Sequence, residues 1–212
     1  MTRALRLLAS LGPLMLVLPV SAQTSANPPV EELFSLWIQP CDEALSQQSG
    51  CTEADPELAQ WALNAWQKAS NGKLRFARTG DEQTARIRIY WANARMNLYG
   101  EARPIVVNGK RGAEVYVRPN LAGLGPDIAQ AGAKDVLLRE TIVYLTCLHE
   151  SGHAIGLSHT DVFDDIMYSF GYGGDIVEYF SRYRRRLKSR GDIVKNSGIS
   201  ENDRTRLAVI WP

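Results

Sequence analysis

All three histidines of this 212-residue chain fall within eleven residues, His149-Glu150-Ser151-Gly152-His153-Ala154-Ile155-Gly156-Leu157-Ser158-His159. On a helix turning about 100° per residue, His149 and His153 lie about 40° apart and one turn along, so both rings can reach one ion. Gly156 can adopt a left-handed backbone, end the helix and swing the chain back, which makes His159 a third ligand. Three neutral imidazoles leave a fourth tetrahedral position for water, the arrangement of a catalytic zinc and not of a closed structural one. A thiolate-rich structural site lacks its ligands here, since Cys147 lies about 200° around the helix from His149. Glu150, beside the ion, can hold a water without ligating. The predicted chemistry is that of an endopeptidase: one catalytic Zn2+ activates water and polarises a peptide carbonyl, and Glu150 acts as general base and then protonates the leaving amine.

Such a site needs a long helix, and residues from about Asp135 to Ile155 supply one, with Val136, Leu137, Ile142, Val143, Leu145 and Leu148 on its buried side. Ahead of it, Arg86 to Trp91 and Ala113 to Val117 alternate polar and apolar residues as half-buried strands. Asn108-Gly109 reads as a hairpin turn into the second of these, so the sheet is at least partly antiparallel. An earlier helix opens at Asp55-Pro56-Glu57 and ends at Asn71-Gly72. After Gly156 the chain reads as irregular through Tyr172-Gly173-Gly174. A basic helix is predicted from Ile176 to Lys188, and a final helix starts at Ser200-Glu201-Asn202-Asp203. The cleft would be shaped by the segments from Asn93 to Pro104 and from Phe170 to Glu178.

The N-terminus bears on compartment. Arg3 and Arg6 precede an apolar run from Leu7 to Val20, and Val20-Ser21-Ala22 suits signal peptidase, so residues 1–22 read as a signal peptide cleaved near Ala22. Gly12-Pro13 and Pro19 interrupt that run, which falls short of a membrane span, and no later segment approaches one. A secreted or periplasmic location is expected. There thiols pair, and Cys41 and Cys51, enclosing the polar loop Asp42 to Gly50, are the natural pair; the ring would contribute about 2 to 3 kcal/mol. Cys147 then stays a buried, inert thiol. The division expected is 23–54 as an N-terminal segment, its first ten residues a flexible leader, and 55–212 as the catalytic domain. A formal charge of +1 gives no global attraction to nucleic acid.

With its two helical histidines, glycine, third histidine and later Asp165-Ile166-Met167-Tyr168, the chain resembles the metzincin metallopeptidases, closest to the matrixin branch. The resemblance covers roughly residues 56 to 212 and is sharp from His149 to Tyr168. It implies an α+β zincin fold: a twisted mixed sheet packed on the long active-site helix, with a smaller C-terminal subdomain ending in a helix. It also implies that Met167 forms a hydrophobic floor beneath the ligands without coordinating, and that Gly156 and Met167 support the site. Three departures are visible. Ser169 stands where astacin-like relatives place a tyrosine ligand. Cys41 lacks the Pro-Arg-Cys-Gly context matrixins use for latency. With every histidine committed, the histidine-bearing structural zinc site of vertebrate matrixins is not expected.

Two other readings compete. In a gluzincin, Glu178 would be the third ligand, which leaves Gly156 and His159 without a role. An exported zinc-containing binding or adhesion protein could keep the fold while cleaving little, although Glu150 is retained. The basic run Arg182, Arg184, Arg185, Arg186 is either a solvated helix face or a contact for an anionic surface. The expected partner is a peptide or protein substrate, with no nucleic acid and no transmembrane segment.

Overall fold

The computed structural model describes residues 31–93 and 99–212. The expected signal peptide, the leader as far as residue 30, and part of the cleft segment between Asn93 and Pro104 lie outside them. Five strands form one sheet: β1 (Glu32–Ile38), β2 (Leu74–Arg78), β3 (Ile87–Trp91), β4 (Gly100–Val107) and β5 (Lys110–Val117), in the order β2-β1-β3-β5-β4. All pairings are parallel except β4 with β5. Asn108 and Gly109, both at positive φ (51° and 73°), make the tight turn between those two.

Alternation sets the faces. Ile87, Ile89, Trp91, Ala113, Val115 and Val117 are buried against helices, whereas Arg88, Glu114, Tyr90 and Tyr116 point away. On that outer face the Tyr90 and Tyr116 rings stack at 5.1 Å and Arg88 reaches Glu114 at 3.4 Å.

Seven helices follow among the described residues: α1 (Glu43–Ser49), α2 (Asp55–Ala69), α3 (Pro126–Lys134), α4 (Val136–Ala154), α5 (Ile176–Arg184), α6 (Asp192–Lys195) and α7 (Glu201–Ile210). The central one, α4, is capped by the Asp135 carboxylate, which accepts from Leu138 N–H at 3.1 Å. It is buried along most of its length, between the sheet and α2. Trp66 of α2 donates to the Leu148 carbonyl at 2.8 Å. Arg139 of α4 pairs with the fully buried Asp55 at the start of α2, through Nη2 at 2.6 Å, and also reaches the Gly50 carbonyl at 3.0 Å. These ties fix the helix that carries the histidines.

The mixed α+β architecture agrees with the sequence reading, but several local expectations change. Strand β1 occupies an interior position in the sheet. The loop enclosed by Cys41 and Cys51 folds as α1, because Asp42 caps it through Leu45 N–H and Gly50 ends it at φ 75°. Those two cysteines form the expected disulfide, with Cα atoms 6.1 Å apart, and Cys147 is buried and free. Strand β2 and helix α3 had no sequence assignment. The basic helix ends at Arg184, not Lys188, and a short turn leads on to α6. No helix among the described residues is long and apolar enough to cross a membrane.

Candidate metal centre

The last turns of α4 present His149 and His153 on one face, and a turn after the helix returns His159 to them. That turn is built by Gly156: at φ 109°, its N–H bonds the His153 carbonyl at 3.0 Å while Leu157 N–H bonds the Gly152 carbonyl at 2.9 Å. These are the paired bonds of a Schellman ending, which requires a left-handed residue. The three Nε2 atoms stand 3.2, 3.2 and 3.1 Å apart.

Whether this cluster suits a cation is decided by the opposite ring atoms. His149 Nδ1 lies 2.7 Å from the Ile166 carbonyl and His153 Nδ1 lies 2.8 Å from the Leu157 carbonyl. A carbonyl can only accept, so both Nδ1 atoms carry the proton and both Nε2 atoms present bare lone pairs. Burial lowers the pKa of His149 to about 4 and also lowers that of His153, which keeps these rings neutral. Lone pairs converging at 3.1–3.2 Å repel unless a cation lies between them. Tetrahedral zinc with Zn–N of about 2.0–2.1 Å would space its ligands by about 3.3 Å. The donor set and its spacing fit zinc.

A family comparison agrees: the matrixin peptidase model matches residues 45–176, more than half of the sequence. The chain belongs to the matrixin family. No curated protein matches it. Family membership supports zinc metallopeptidase activity broadly and implies zinc, and the chain holds a three-histidine group that could bind a metal ion. The match begins ahead of the residue-56 limit drawn from motifs and ends as α5 begins, so α6, α7 and most of α5 lie beyond it.

In this matrixin, Met167 is completely buried, next to Gly152 of α4. The segment after His159 and the methionine turn zip together, with Thr160 N–H on the Met167 carbonyl at 2.9 Å and Ser169 N–H on the Thr160 carbonyl at 3.1 Å. Gly152 makes the close approach possible: a Cβ there would stand 2.4 Å from Met167 Sδ and 3.1 Å from Trp66.

A buried carboxylate within the helix-start pattern of α7 proves central. Asp203, fully buried, forms a capping box with Ser200 and also accepts from Ile166 N–H at 2.8 Å. The neighbouring Asp165 carboxylate accepts from Ser200 Oγ (2.7 Å), Asn202 Nδ2 (2.6 Å) and Thr160 Oγ1 (2.8 Å). Since the Ile166 carbonyl holds His149, the start of α7 positions a histidine through the methionine turn. The Ser200-x-x-Asp203 spacing signalled the cap, and no local pattern could signal its second partner.

Glu150 lines the same cavity as His149 and His159, about 240 Å³, walled on its apolar side by Leu124, Leu145, Phe170, Tyr179 and Phe180. Burial, with help from Glu101, raises its pKa to about 8. Glu178 is elsewhere, exposed and paired with Arg185 at 2.5 Å, which removes it as a candidate ligand. The basic helix is largely neutralised within the chain: Arg182 pairs with Asp164, Arg184 with Asp135 at 2.8 Å, and Arg185 with Glu178. Arg182 also lies over the Phe163 and Tyr179 rings, fastening α5 to the methionine turn.

Proposed function

We propose that this matrixin is an exported zinc endopeptidase in which His149, His153 and His159 hold one ion, Glu150 is the general base, and Gly156 and Met167 support the ligands. The observation that carries the reading is the convergence of three histidine Nε2 atoms beside a cavity that also contains the Glu150 carboxyl. Zinc, when bound, supplies Lewis acidity toward water and a peptide carbonyl. Glu150 takes the proton from the attacking water and delivers it to the departing amine. Burial raises its pKa in the metal-free chain, and the positive charge of a bound zinc would draw it back toward the carboxylate that accepts the proton.

The apolar wall beside Glu150 suits a medium-sized apolar side chain of the substrate, flanking the scissile bond. Export rests on the signal-like residues 1–22 and accords with the Cys41–Cys51 disulfide. The mature chain then comprises the segment 23–54 and the catalytic domain 55–212.

The deciding experiment is hydrolysis of a mixed peptide library by purified residues 23–212, with and without chelator, beside Glu150→Ala. Chelator-sensitive cleavage that disappears in the variant supports the reading. Stoichiometric zinc without cleavage by either protein would replace it with a zinc-containing binding protein.

A further inference from the structure

Strand β4, at the edge of the sheet, begins at Gly100, directly above the side chain of Glu150. A Cβ built on Gly100 would stand 2.4 Å from Glu150 Oε1, 2.8 Å from Cγ and 2.9 Å from Cδ. No left-handed φ at Gly100 calls for glycine, so the need is for space. The backbone has little freedom to retreat. Gly100 is in register with Val117, and Arg118 N–H bonds the adjacent Tyr99 carbonyl at 2.9 Å. On the other side, α4 is held by the Trp66 bond to Leu148.

We propose that Gly100 is a positioning residue: the absence of its side chain is the seat in which the Glu150 carboxylate arm lies. The inference rests on the general-base reading of Glu150. An alanine methyl would take the volume occupied by three atoms of that arm, and the flexible glutamate, not the strand or the helix, would give way into the open cavity. The carboxyl then leaves its place beside the histidines while the imidazoles keep theirs.

The test is a double-mutant cycle on the mature chain with Gly100→Ala, Glu150→Ala and the pair. Metal-free thermal midpoints read the contact itself. Gly100→Ala is expected to lower Tm by about 3–10 °C in the wild-type background, from overpacking in a chain of this size, and by much less once the Glu150 arm is removed. For activity, Gly100→Ala is expected to lower kcat by about 10- to 100-fold, the scale of an ångström misplacement, with KM little changed and zinc retained at the wild-type ratio. A Tm loss of equal size in both backgrounds, or a wild-type kcat in Gly100→Ala, would overturn the proposal. If no variant cleaves any peptide, the Tm cycle still decides the seat, and only the peptidase reading fails.

Discussion

Replacing Glu150 with glutamine should make the metal-free protein more stable, and increasingly so as pH rises. The Glu150 carboxyl titrates at about 8 in the fold against an ordinary 4.5, chiefly through burial. A raised carboxyl pKa means that, above pH 4.5, unfolding releases a proton that the folded state keeps. Stability is therefore lost as pH climbs from 4.5 to 8. Each pH unit in that window is worth at most about 1.4 kcal/mol. Because the carboxyl borders a cavity open to water, solvent screening leaves about 2 kcal/mol at pH 8, or roughly 4–8 °C in Tm for a domain of this size. Glutamine keeps the shape and carries no charge, so Glu150→Gln should match wild type near pH 5 and exceed it by that amount at pH 8. Thermal unfolding of both chelated proteins at pH 5, 6, 7 and 8 provides the measurement, and effects common to the two cancel in the difference. A gap that stays constant with pH, or one that favours wild type at pH 8, would refute the claim that burying this carboxylate costs stability.

Adding zinc at a thousand times its dissociation constant should stabilise the chain by about 4 kcal/mol, and His153→Ala should abolish the gain; calorimetry with and without metal checks this. Asp203→Asn, which weakens the hold on Ile166 N–H, should reduce zinc affinity by about 10- to 100-fold in a competitive chelation assay although the residue touches no ligand; unchanged affinity would sever α7 from the site. Because the His149 pKa is lowered to about 4, its ring stays neutral as pH falls below 6.5, so zinc should remain bound at pH 5.5, and dialysis at stepped pH followed by metal analysis would expose a release midpoint above 6. Phe180→Leu enlarges the apolar cavity and should shift library cleavage toward bulkier residues beside the scissile bond.

The histidine cluster was legible in the sequence because its geometry is local. A helix period brings His149 and His153 together, and Gly156 reverses the chain within three residues of His159, so spacing alone places all three rings. The strands at Ile87–Trp91 and, within β5, Ala113 to Val117 were legible for a similar reason, since one of their faces is less buried and alternation survives. Strand β1 was not, although its burial alternates in the fold, because Leu33, Leu36, Trp37 and Ile38 fall on both of its faces. The loop between the cysteines looked polar and therefore irregular, yet α1 needs only its Asp42 cap and Gly50 ending to form. What the sequence could not disclose were partners far apart in the chain: Asp203 with Ile166, and Gly100 with Glu150.

Those distant partners explain why a short motif is insufficient by itself. The Nε2 triangle depends on His149 holding its ring against the Ile166 carbonyl, and that carbonyl is held by a turn whose N–H groups end on Asp203. Asp203 in turn is fixed by the first residues of α7, whose end returns to α4 through Trp211 Nε1 on the Ile155 carbonyl at 3.0 Å. The ligand helix and the C-terminal helix thus close a loop of hydrogen bonds around the site. Loosening α7 should slacken the histidines at a distance, because the His149 ring keeps its place only while the turn that holds it is tied to Asp203.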